Sequence, residues 1–61
     1  MLEVSELLMS AYNIIRTYGE IEYDQNTQDK NGYHRKMVIV YKGNDYFIRM
    51  SNGIVTGVRI I

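Results

Sequence analysis

Along the first third of the chain, apolar residues recur at helical spacing. Val4, Leu7, Leu8, Ala11, Ile14, Ile15 and Tyr18 repeat every three or four positions. On a helical wheel they fill a stripe about 120° wide. The pattern predicts one amphipathic helix over residues 2–18. Glu3 and Glu6 stand in its first turn and Arg16 in its last, as the helix dipole favours. Gly19 is the natural stop. Leu2, Met9 and Tyr12 fall on a flank outside the stripe. They are expected to form a small second docking patch, because Met and Tyr are favoured at interfaces.

Beyond Gly19 the period changes to two. Glu20-Ile21-Glu22-Tyr23 alternates and suits an edge strand over about 20–27. Asp29-Lys30-Asn31-Gly32 is a turn signal. Strands are predicted over 33–41, 46–51 and 54–60, rich in β-branched and aromatic residues. Gly43-Asn44 and Asn52-Gly53 are the expected two-residue hairpin loops. The fold class is therefore α+β: one N-terminal helix on an antiparallel meander of three or four strands.

Those loops set a register. Tyr41 should face Tyr46, Ile39 face Ile48, and Met37 face Met50. Ile48 should face Gly57, and Phe47 face Val58. One sheet face then carries Met37, Ile39, Tyr41, Tyr46, Ile48, Met50, Val55 and Ile61, with Gly57 giving the helix a close approach. The other carries Val38, Val40, Phe47, Ile54, Val58 and Ile60, mixed with Lys36, Lys42, Arg49 and Thr56. A single helix covers only one face. The second face is left apolar and open, which usually marks an interface. Phe47 is the expected anchor.

Composition sharpens this picture. The chain has 61 residues, enough for one domain that buries about 60% of its unfolded surface. Domains this small usually gain stability from disulfides, a metal or self-association. There is no Cys and a single His, so a disulfide or a thiolate zinc site is ruled out. No cofactor is expected. A homodimer, or one protein partner, is the expected source of further burial. Apolar runs are too short to span a membrane, and no basic-then-apolar leader opens the chain. A cytoplasmic setting is expected.

Net charge is zero, but its distribution is not even. Residues 1–29 hold six acids and one base, a net of −5; residues 30–61 hold six bases and one acid, a net of +5. Basic strands with Phe47 admit a second function, a small nucleic-acid-binding regulator. With one aromatic on the open face, protein contact is the better reading. His34, beside Arg35 and Lys36, reads as a solvated strand-end residue. Asp24, Asn26 and Asp29 faintly resemble a calcium loop, but Asp29 stands where Gly is needed and Arg35 where Glu is needed. Glu20 and Glu22 lack an enclosing cleft, so catalysis is not expected. Chains of this size are common among phage and mobile-element proteins. Many of those inhibit host machines, anti-CRISPR proteins among them, and an inhibitory interaction module is the leading expectation.

Overall fold

The computed structural model describes residues 3–61. Its elements run α1 (Val4–Tyr18), β1 (Glu20–Asp29), β2 (Gly32–Tyr41), β3 (Asn44–Ser51) and β4 (Ile54–Ile60). The four strands form one antiparallel sheet in the order β1-β2-β3-β4, and α1 lies across one face over β2 and β4. The α+β meander is as the periodicity predicts. Residues 20–27 are a strand, extended to Asp29.

The helix ends where its backbone meets β2. A Cβ at Gly19 would stand 2.6 Å from Ile39 Cγ2 and 2.7 Å from the Val40 carbonyl oxygen. Only glycine permits so close an approach. The turns follow their local chemistry. Asp29 Oδ1 accepts the Asn31 N–H at 2.7 Å, which folds the Lys30-Asn31 turn. The Asn52 side chain then ties two hairpin ends together. Its Oδ1 accepts the Tyr33 N–H at 2.9 Å, and its Nδ2 donates to the Asn31 carbonyl at 3.3 Å. Gly32, at φ +117°, leaves the space that this side chain occupies.

Two register details differ from the sequence reading. The β2–β3 loop is Lys42-Gly43, with φ values of +50° and +79°, so Ile39 faces Tyr46 and Met37 faces Ile48. Moving the loop by one residue shifts the pairing by two, so the side chains within β2 and β3 keep their expected faces, while Lys42 passes into the turn. The β3–β4 pair contains a bulge: Met50 faces Val55, but Arg49 faces Gly57, with Thr56 in excess. The Thr56 hydroxyl bonds to the Arg49 carbonyl at 3.2 Å. Beyond that bulge the faces of β4 are exchanged.

Met37, Ile39, Ile48 and Val55 are fully buried beneath Tyr12 and Ile15 of α1. Leu8 and Met9 pack against them, as do Tyr41, Tyr46, Met50 and Val58 from the sheet. The helix is thus rotated from the orientation its periodicity suggests. Tyr12 is 7% exposed, whereas Val4 is 72%, Leu7 52%, Ile14 51% and Tyr18 76% exposed. The proposed flank of Met9 and Tyr12 is therefore part of the core, and Leu2 lies outside the described residues. The physical reason is the breadth of the apolar arc. From Ile14 round to Met9 it covers more than half the helix, and a single sheet can bury only part of it.

Truncating either side of this contact is expected to be severe. Ile39→Ala and Ile15→Ala should each cost about 2–5 kcal/mol. Urea titration followed by circular dichroism checks this. Unchanged midpoints for both variants would rule out the helix-on-sheet core.

Candidate interaction surface

The sheet face turned away from α1 is built by strand alternation. Across one row lie Tyr23, Val38, Phe47 and Arg59; across the next lie Gln25, Lys36, Arg49 and Gly57. A third row, toward the opposite strand ends, holds Glu20, Val40 and Asp45. Val38, Val40 and Phe47 are half-buried, Lys36 and Arg49 exposed. These five residues stand where the sequence places them. The Arg59 guanidinium lies 5.2 Å from the centre of the Phe47 ring. A cation held over an aromatic ring in this way is a modest attraction, on the order of 1 kcal/mol.

Val58, Ile60 and Lys42 do not belong to this surface. The bulge at Thr56 turns Val58 to face Ile48 and Ile60 to face Tyr46, on the helix side. Gly57 correspondingly moves to the open face, where a Cβ would meet the Arg49 guanidinium at 3.5 Å. It gives the helix no approach. Lys42 sits in the turn with its ammonium 5.5 Å from the centre of the Tyr41 ring. Conversely, sequence reasoning missed Tyr23 and Arg59. A second bulge, between Ile21 and Tyr23, brings Tyr23 onto the open face opposite Val38. The alternation of Glu20 to Tyr23 carries no sign of that bulge.

The face is electrically two-ended. At one end stand Glu20, Glu22 and Asp45. Hydrogen bonding with Asp45, then lost hydration and the Asp45 charge, raises the Glu22 carboxyl above its ordinary pKa. Lys36 and Arg49 lie on the other side of the Phe47 row. Past them, His34 spans a polar cluster, with Nδ1 3.1 Å from Ser51 Oγ and Nε2 3.2 Å from Asp29 Oδ1. The order hydroxyl, imidazole, carboxylate is that of a nucleophilic relay. An oxyanion needs free N–H donors beside the hydroxyl, and the N–H of Asn52, next in the chain, is bonded to the Tyr33 carbonyl at 2.8 Å. The cluster joins the β1–β2 turn to the end of β3.

Asp24, Asn26 and Asp29, in which the sequence reading rejects a calcium loop in favour of a polar hairpin loop, lie in β1 and not in a loop. Asp24 is held by Arg35, whose Nε donates to Oδ1 at 2.8 Å and whose Nη2 donates to Oδ2. Among the described residues, no three His, Cys, Asp or Glu side chains are grouped to hold a metal. The hydrogen bonds from Arg35 lower the Asp24 pKa, and those from the Asn31 N–H and His34 lower that of Asp29. A carboxylate depressed in the folded state contributes stability above its unfolded pKa, near 4, and loses it as pH falls through the folded value. Stability should therefore decline below about pH 4, and Asp24→Asn should flatten part of that decline. Urea midpoints between neutral and acid pH check it; an unchanged acid slope in Asp24→Asn would refute the coupling.

Compared with protein-family models, curated proteins and solved structures, the chain matches none.

Proposed function

We propose that this chain is a small non-catalytic interaction module whose working surface is the open sheet face centred on Phe47. The observation that supports this reading is the row of Tyr23, Val38 and Phe47, an apolar strip at the centre of a face that no element among the described residues covers. Charged groups at both ends give it a polar rim, as protein interfaces have. A partner with an acidic patch opposite Lys36 and Arg49 fits the face. A second copy turned end for end would also fit, because the Glu20–Asp45 row of one chain would then lie over the Lys36–Arg49 row of the other. No helix among the described residues is long and apolar enough to cross a membrane, and a cytoplasmic setting is part of the proposal. Inhibition of a host machine, as by phage and mobile-element proteins of this size, is one use for such a surface.

One observation favours a second reading. Tyr23 joins Phe47 on the face, with Lys36, Arg49 and Arg59 around them. Two aromatics and three bases on a four-stranded sheet suit stacking on a single strand of nucleic acid. Capture from a bacterial lysate with and without nuclease separates the readings. A protein partner that survives nuclease supports the first; loss of every partner supports the second.

Phe47→Asp is expected to weaken protein capture by about 100-fold or more, the effect of losing a central aromatic anchor. Ile39 and Ile48, buried under the helix, should exchange their amide hydrogens as slowly in this variant as in the wild type. Full capture by Phe47→Asp would remove this face from the interaction. If nucleic acid is the ligand, affinity should fall steeply with salt, and Lys36→Glu with Arg49→Glu should abolish it. Fluorescence anisotropy on a labelled single strand checks this; salt-independent binding would contradict it.

A further inference from the structure

The outer flank of α1 carries a second apolar surface of a different kind. Val4, Leu7, Ala11, Ile14 and Tyr18 are separated by three, four, three and four residues, the spacing of a helix-pairing seam. No charged residue interrupts it. The packing of α1 shows which way the seam points. Arg16 lies toward Asp24 and Tyr12 toward Arg35, while Ser5 and Met9 border a depression with Ile54. The seam occupies the opposite flank. It therefore overlooks the strand ends that carry Tyr46 and Ile60, both on the helix side of the sheet. Tyr46 is half-buried and Ile60 is exposed. Helix flank and uncovered sheet together leave apolar surface beside α1.

We propose that a second copy of this chain covers this surface, its α1 running antiparallel to the first, so that the protein is a dimer joined by its helices. Three features favour a copy over a foreign partner. The seam is self-complementary in shape: Ala11 at its middle permits close approach at a two-fold axis, and Val4 of each chain then meets Tyr18 of the other. The helix ends are complementary as dipoles, since antiparallel pairing sets the positive N-terminal end of one helix beside the negative C-terminal end of the other. The area also suffices. The open side chains of the seam with Ile60 amount to roughly 500 Å² per copy, about 1,000 Å² in all, at the lower limit of specific interfaces. A dimer of this kind leaves both Phe47 faces free, so the proposal stands or falls separately from the function assigned to that face.

Sedimentation equilibrium from micromolar to millimolar concentration tests it. The wild type should reach the mass of two chains. Leu7→Glu with Ile14→Glu changes exposed positions of the single chain and should leave a folded monomer, with association weakened at least about 100-fold. Phe47→Asp should keep the dimer. An independent probe uses the absence of native Cys: Ala11→Cys should cross-link two chains on mild oxidation, and Thr27→Cys should not. A wild type that stays monomeric at millimolar concentration would overturn the proposal. So would a dimer lost in Phe47→Asp but retained in the helix variant, or equal cross-linking at both cysteines.

Discussion

One helix of 15 residues cannot cover four strands, and that mismatch governs the molecule. A helix with its side chains is about 10 Å wide, whereas four strands at about 4.8 Å spacing span nearly twice that. The helix must choose a strip of sheet to cover. It covers Met37, Ile39, Ile48 and Val55 completely and leaves Tyr46 and Ile60 at its edge. Among the described residues, nothing covers the opposite face. Each apolar surface that remains follows from this geometry, and the interaction reading follows from those surfaces.

Local devices make the arrangement definite. Gly19 lets the helix end against β2, so its position above the sheet is fixed by backbone contact. Asn52 and the cluster of His34, Ser51 and Asp29 hold the hairpin ends together. The bulge at Thr56 has the largest consequence for function. By turning Val58 and Ile60 toward α1, it removes two aliphatic side chains from the open face. That face is left smaller, more aromatic and more basic, with Tyr23, Phe47 and Arg59 in one row. The same bulge adds Ile60 to the exposed apolar surface beside the helix.

Much of this was legible in the residues. The helix and strands announce themselves through period, and the Asn52-Gly53 and Asp29-to-Gly32 turns through their chemistry. Val38, Val40, Phe47, Lys36 and Arg49 were placed correctly because a two-residue pairing shift preserves faces. The bulges at Glu22 and Thr56 were not legible, since nothing in an alternating pattern marks a residue that will drop out of the ladder. The helix rotation was hidden for another reason. Apolar residues occupy most of its circumference, and periodicity alone cannot rank Tyr12 and Met9 against Val4 and Tyr18. Tertiary packing decides that choice, and the residues it leaves out form the seam.

The central claim is that this chain completes its burial through contact with another chain. Folding linked to association raises the thermal midpoint with protein concentration, by about 5 °C per tenfold for a domain of this size. Melting curves across a hundredfold range of concentration measure this directly. A rising midpoint is the predicted result; a midpoint that does not move would show that the isolated chain is stable with its apolar surfaces in water, and would contradict the claim.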